Sequence, residues 1–237
     1  MDNRQMNEML KNTLGLKKEI IGLKVWKEAP QGIRRYEGKA FPGLCAQIGE
    51  VLATGETFIT DHENHFCTGG AIGTGVAQPL TRGERIKNME MHLEIIKDHA
   101  NLETSILYND NVDSLIPPVK EKNAFVQMAR FTDLKDPDLV LIFCSPHGAD
   151  ILTRAYTYVI GEPIQGFAGN GCCIFIIQYP FVTKKPVFSY SDLSWRRFVG
   201  LDEGELTIAF PYSVLMNFIE SLPLKAEDYR TLYSSIE

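Results

Sequence analysis

The residues of this 237-residue chain with the clearest capacity for chemistry are its five cysteines. Two of them occupy matching places, because Gly55-Glu56 is followed by Cys67 and Gly161-Glu162 by Cys173 after the same interval. Each of these two cysteines also lies in a glycine-rich run. Since a repeated fold tends to bring equivalent loops together near a pseudo-twofold axis, the spacing predicts that Cys67 and Cys173 share one site.

Such a site would suit a thiophilic metal. Cys45, Cys67, Cys144 and Cys173 could supply the four thiolates of an iron–sulfur cluster or a closed zinc site, and soft ligands favour iron–sulfur. His65 would point to the same side as Cys67 in an extended chain and could bind with it. Two alternatives stay open: Cys45 could serve only as a core residue of its helix, and the run 61–67 could be a solvated polar loop.

A different thiol chemistry is indicated at Cys144. This cysteine ends a predicted buried strand and precedes a predicted helix N-terminus, where free amides and the helix dipole stabilise a thiolate. His147 lies three residues further on and could accept the thiol proton. The alternative prediction is therefore a thiol-dependent enzyme or small-anion-binding domain without metal, which uses Cys144, His147 and Arg197. Cysteines at strand ends are also common core residues.

Glycines and an arginine could bind a ligand beside the thiols. Gly69, Gly70 and Gly171 flank the two matched cysteines and would let the backbone approach a small molecule, or would simply form turns. Neither glycine run has the context of a dinucleotide fingerprint or a P-loop. Arg197 offers a planar fork for a carboxylate or phosphate, or it could pair with the acidic turn 202–205.

Composition restricts the class of protein. The chain is 44% hydrophobic and 23% charged, as expected of a soluble globular protein. Its net charge of −6 argues against a nucleic-acid partner, so a small molecule or a metal is the expected ligand. The chain shows no long apolar run, no export signal, no C-x-x-C pair and an odd number of cysteines, which predicts a cytoplasmic protein without a disulfide framework or a membrane partner.

Periodicity predicts the elements that position these residues. Helical apolar stripes run through 6–14, 44–52, 86–96, 151–159, 212–222 and 229–236, while strands are predicted at 20–26, 57–60, 139–143, 174–179, 186–190 and 206–210, and a loop at 109–113. The order strand, helix, loop, cysteine occurs twice. We therefore predict one α+β domain over residues 1–237, with helical termini and two pseudo-repeated strand–helix–strand halves at about 16–116 and 137–222.

Several of these pieces, taken in order, resemble a known family. They are the Cys45 helix, the segment from Gly55 to Cys67-Thr-Gly-Gly, Gly171-Cys172-Cys173, the Arg197 region and the segment Glu205–Pro211. Together they resemble the uncharacterised prokaryotic ArCR family, a domain of unknown function, over about residues 16–222. The resemblance implies a microbial cytosolic setting and no particular substrate. The sequence thus predicts a metal-binding or redox protein centred on the cysteine loops, of unspecified reaction and oligomeric state.

Overall fold

The computed structural model describes residues 1–37, 43–64 and 67–234. Its helices are α1 (Asn3–Leu14), α2 (Leu44–Thr54), α3 (Thr68–Gly73), α4 (Arg82–Ile95), α5 (Leu102–Leu115), α6 (Pro146–Ile160), α7 (Tyr179–Thr183), α8 (Leu193–Val199), α9 (Tyr212–Phe218) and α10 (Leu222–Ser234). Its strands are β1 (Ile21–Trp26), β2 (Phe58–Thr60), β3 (Phe125–Arg130), β4 (Leu139–Cys144), β5 (Gln165–Phe167), β6 (Val187–Ser189) and β7 (Leu206–Pro211).

Local signals at the helix ends explain why several predicted helices form where they do. The Asp2 side chain accepts a hydrogen bond from Gln5 N at the start of α1, and Gly15 ends that helix with φ 62°. Ser145 caps α6 with Pro146 at its first position, and Gly161 closes the helix with φ 79°. A capping box formed by Thr81 and Glu84 begins α4.

The strands of the described chain form one sheet in the order β2-β3-β1-β4-β7-β6-β5. β1 and β4 are antiparallel neighbours at its centre, with Ile21 opposite Leu141. β4 then pairs antiparallel with β7 along its whole length, from Leu139 opposite Pro211 to Cys144 opposite Leu206. The predicted mixed α/β fold with helical termini is confirmed, and it is built on a single sheet.

Alternate residues of β4 face two separate hydrophobic cores. Leu139, Leu141 and Phe143 face the layer formed by α2, α3, α7 and α8, which we call the cysteine face. Val140, Ile142 and Cys144 face the opposite layer, formed by α1, α6, α9 and α10, which we call the α6 face. Both faces of the sheet are therefore buried.

The internal duplication is not confirmed. In each of the units β1–α2–β2 and β4–α6–β5, a helix connects two strands that are parallel to each other. The strands of one unit are antiparallel to those of the other, and the two units extend toward opposite edges of the sheet. A twofold rotation that relates them would keep both helices on one face. Because α2 covers the cysteine face and α6 the opposite one, the two units have opposite handedness and cannot superpose as whole units.

Two sequence predictions were wrong. Residues 174–179 form no strand: Ile174–Gln178 is a π-helical segment that leads directly into α7. A short apolar run fits a buried helix as well as a strand, and this one is buried on nearly all sides. The loop predicted at 109–113 lies inside α5, which the Asn101 side chain caps. No helix of the described residues is long and apolar enough to cross a membrane.

Candidate cysteine site

Four of the five cysteines meet on the cysteine face of the sheet. Cys45 lies in the first turn of α2, Cys67 immediately precedes α3, and Cys172 and Cys173 begin the turn that leads into the π-helical segment. All four belong to or pack against the same hydrophobic core. Three separate chain segments thus converge on one group of thiols, and Cys45, Cys172 and Cys173 are buried whereas Cys67 is partly exposed.

Within this group Cys67 and Cys173 are in direct contact. The side chains of the two residues lie close enough for the Cys173 thiol to interact with the sulfur of Cys67 and to stabilise its thiolate. A β-carbon built at Gly69 would lie 3.9 Å from Cβ of Cys173, so α3 and the Cys173 segment pack at ordinary contact distance. The meeting of Cys67 and Cys173 agrees with the expectation from their matched spacing, although no twofold repeat produces it.

The two thiols of this pair have different acidities. The hydrogen bond from Cys173, together with the backbone amides of Gly70 and Gly69, lowers the pKa of Cys67 to about 7, against the opposing effects of burial and of the Asp192 charge. The same hydrogen bond, followed by burial, raises the pKa of Cys173 well above its usual value. Near neutral pH Cys67 is therefore the member of the pair that ionises, while Cys173 stays a thiol.

The two remaining thiols of the group are neutral. Burial, and then the charges of Cys67 and Asp192, raise the pKa of Cys45 to about 12. Burial also raises the pKa of Cys172, which is 1% exposed. Cys45 and Cys172 lie beside the Cys67–Cys173 pair but stay protonated near neutral pH. Cys45 also packs in the core, as the apolar stripe of its helix predicted.

Asp192 organises the loop that carries Cys172 and Cys173. Its Oδ2 accepts hydrogen bonds from Cys172 N at 2.8 Å and from Gly171 N at 3.2 Å. Its Oδ1 accepts from Trp195 N at 2.8 Å and so caps α8. Gly171 adopts φ 97°, a conformation that glycine tolerates and other residues rarely adopt. Asp192 is not among the site residues predicted from the sequence, because its only local signal is its position before an apolar helix.

Tyr108 of α5 also contacts this loop. Its hydroxyl donates to the carbonyl of Asn170 at 2.6 Å, and it lies against Gly169, which has φ 138°. Burial raises the pKa of Tyr108 to about 12, so the hydroxyl keeps its proton and remains a donor. α5 therefore anchors the glycine-rich loop in addition to Asp192.

Cys144 and His147 lie elsewhere. Cys144 is 2% exposed in the core of the α6 face, on the side of the sheet away from the other cysteines. Burial, and then the charge of Glu205, raise its pKa to about 12, which opposes the thiolate that a catalytic role requires. His147 is exposed and stacks edge-on against Tyr229 with ring centroids 4.5 Å apart. The predicted grouping of Cys144 with Cys45, Cys67 and Cys173 is therefore wrong.

The other predicted ligands separate into two sets. Gly69 and Gly70 lie beside Cys67, and their amides act on it as described. Arg197 is exposed, with its guanidinium 5.9 Å from the ring centre of Phe198, while the neighbouring Arg196 binds the acidic turn through the carbonyl oxygens of Asp202 and Glu205.

His65 lies outside the described residues. Among the residues that the structure describes, no three His, Cys, Asp or Glu side chains are arranged to hold a metal ion.

Fold and site together define an α/β protein whose single sheet is covered by helices on both faces and which carries a cysteine pair on one of them. The chain belongs to the uncharacterised ArCR family, whose profile matches residues 9–221. The resemblance noted from the order of its motifs is thereby confirmed. No curated protein and no solved structure gave a significant match.

Proposed function

We propose that this protein is a thiol–disulfide redox protein whose reactive centre is the pair Cys67 and Cys173. The observation that carries the proposal is the direct contact between a partly exposed thiol and a buried one. In such a pair the exposed residue attacks a substrate and the buried residue resolves the product. The π-helical segment that follows Cys173 adds support, because π-helical turns often occur at functional sites.

The proposed reaction is reduction of a disulfide substrate. The Cys67 thiolate attacks one substrate sulfur, a Cys67–substrate disulfide forms, and the other substrate sulfur leaves as a thiolate. Cys173 then gives its proton to the departing sulfur and attacks Cys67, so the second substrate thiolate is released. One substrate disulfide has been reduced to a thiol and a thiolate that takes a proton from water, and the Cys67 thiolate and Cys173 thiol have been oxidised to one disulfide.

The change in acidity during this reaction favours the second step. The largest cause of the raised pKa of Cys173 is its hydrogen bond to Cys67, and the charge on Cys67 adds to it. Once Cys67 is bound in a mixed disulfide, it carries no charge and no longer holds the Cys173 proton. The resolving thiol therefore becomes easier to ionise when its ionisation is required.

Mass spectrometry of the full chain can test this proposal. We expect an aliphatic disulfide such as oxidised glutathione to produce a Cys67–Cys173 disulfide and to leave Cys144 reduced. Cys173→Ser should instead trap a stable mixed disulfide on Cys67, whereas Cys67→Ser should abolish the reaction. Cys144→Ser is the matched control, since it removes a buried thiol on the other face. Oxidation at random among the cysteines, or none at all, would contradict the proposal.

A second candidate function is binding of a thiophilic metal or an iron–sulfur cluster. The observation that favours it is the convergence of Cys45, Cys67, Cys172 and Cys173 from three chain segments. Iron, sulfide and zinc should be measured after anaerobic purification of the wild type, Cys67→Ser and Cys144→Ser. Stoichiometric metal that is lost in Cys67→Ser but kept in Cys144→Ser would favour this candidate, and metal-free protein with a reactive pair would favour the first.

A further inference from the structure

The carboxylate of Asp192 joins two parts of the molecule that meet at the cysteine pair. One carboxylate oxygen accepts hydrogen bonds from the backbone amides of Gly171 and Cys172. The other accepts a hydrogen bond from the backbone amide of Trp195 at the start of α8. Cys173 immediately follows Cys172, so its position relative to Cys67 depends on where Asp192 holds the loop. An ordinary helix cap would need only the contact to Trp195.

The residue before Asp192 has an unusual backbone conformation. Ser191 has φ 70°, which is uncommon for a residue other than glycine. Ser191 N donates to the Ser189 hydroxyl at 3.0 Å, and the Ser191 hydroxyl lies 3.2 Å from that of Thr207 on β7. The sheet therefore fixes the backbone that aims Asp192 at the cysteine loop. Backbone strain of this kind concentrates at functional sites.

Asp192 is also a source of negative charge at this site. The ionisable groups that face Cys67 are the thiols of Cys173 and Cys45 and the carboxylate of Asp192. Among the described residues, the largest influences on the pKa of Cys67 include the Asp192 carboxylate and no basic side chain. A carboxylate beside a thiolate destabilises the reduced pair, whereas the disulfide is neutral and is not affected in this way.

We propose that Asp192 is the positioning residue of the Cys67–Cys173 pair: it holds the loop that carries Cys173, and its charge shifts the equilibrium of the pair toward the disulfide. This inference depends on the proposed redox function and adds to it the residue that sets the redox potential. Both effects act in the same direction. Loss of the carboxylate loosens the approach of Cys173 and stabilises the reduced Cys67 thiolate.

The decisive variant is Asp192→Ser. Serine is a good N-cap, so α8 keeps its cap, while the charge and the contacts to Gly171 and Cys172 are lost. Asp2→Ser is the matched control because Asp2 caps α1 in the same way, through Gln5 N at 2.9 Å, on the opposite face. Asp192→Asn is the second variant, used if the serine variant does not fold, as judged by circular dichroism.

The experiment equilibrates each full-length protein with glutathione redox buffers and measures the fraction of Cys67–Cys173 disulfide by mass spectrometry. We expect Asp192→Ser to lower the equilibrium constant for disulfide formation by about threefold or more, a rise of about 15 mV or more in reduction potential. Asp2→Ser should leave it unchanged. An unchanged constant in the Asp192 variants, or an equal shift in Asp2→Ser, overturns this inference alone. If the wild type forms no disulfide, the redox function and this inference both fall.

Discussion

The partly exposed thiol of Cys67 interacts with the buried thiol of Cys173, and the two residues reach this contact from opposite edges of the sheet. Cys67 follows β2, the strand at one edge, and Cys173 follows β5, the strand at the other. The segments that leave these strands fold back over the cysteine face and meet there. The pair can therefore form only when the sheet is assembled over its full width.

The first prediction concerns the pH dependence of alkylation. The iodoacetamide reaction of Cys67 should follow a titration with a midpoint near its pKa of about 7. Cys173→Ala removes the main cause of that low pKa, so the midpoint should move up toward the ordinary cysteine value of about 8.5. Peptide mapping after brief labelling measures both profiles. Identical profiles for the wild type and the variant would show that Cys173 does not stabilise the thiolate.

The second prediction concerns stability as a function of pH. A cysteine whose pKa is lower in the folded state than in the unfolded state stabilises the fold above the unfolded pKa, and this contribution is lost as pH falls through the folded value of about 7. The free energy of unfolding of the wild type, relative to Cys67→Ser, should therefore rise from about pH 6 to about pH 9. The raised pKa values of Cys144 and Cys172 do not depend on Cys67 and cancel in the difference. The pKa of Cys173 does depend on Cys67, but a raised pKa affects the difference only above the unfolded value of about 8.5.

Urea unfolding of both proteins at several pH values measures this difference. Cys144→Ser is the control: its own difference from the wild type should not rise over that range, since the pKa of Cys144 is raised and not lowered. A flat difference for Cys67→Ser would contradict the ionisation of Cys67 in the folded protein.

The third prediction concerns Tyr108, which holds the glycine-rich loop through Asn170. Tyr108→Phe removes one hydrogen bond of the loop and should cost about 1 kcal/mol of stability. Because the loop that carries Cys173 is then less constrained, hydrogen exchange at residues 169–172 should accelerate more than exchange in β4. Tyr158→Phe is a matched control on the exposed surface of α6 and should change neither quantity. Equal exchange in wild type and Tyr108→Phe would show that this contact does not restrain the loop.

The fourth prediction concerns the close approach of two helices: α2, which carries Cys45, and α8, which follows Asp192. A β-carbon at Gly49 would overlap the backbone carbonyl of Phe198. Gly49→Ala should therefore destabilise the protein by about 1–3 kcal/mol and weaken disulfide formation in the cysteine pair. Gly83→Ala meets no atom within 4 Å and should instead stabilise α4 by about 0.5–1 kcal/mol. Thermal melting of the two variants distinguishes these outcomes, and equal melting temperatures would contradict the prediction.

The amino-acid sequence by itself determined the elements with strong local signals. α1, α2, α6, β4 and β7 formed as predicted, because their apolar periodicity, caps and terminal glycines act within a few residues. Where the local signal is ambiguous, prediction failed, as for the π-helical segment at Ile174–Gln178. β3, which joins β2 to β1 in the sheet, was not predicted at all.

The tertiary structure decided which cysteines share a site. The matched spacing of Cys67 and Cys173 led to the right pair, but the duplication inferred from it is not confirmed. Whether a strand-end cysteine joins that pair depends on the face of the sheet to which it points, and Cys144 points away. Asp192 could not be assigned to the site because its contacts join the loop at Gly171 to α8. Local patterns follow from short-range sterics and hydrogen bonds, whereas these distances are set only when the whole sheet and both its helical layers pack.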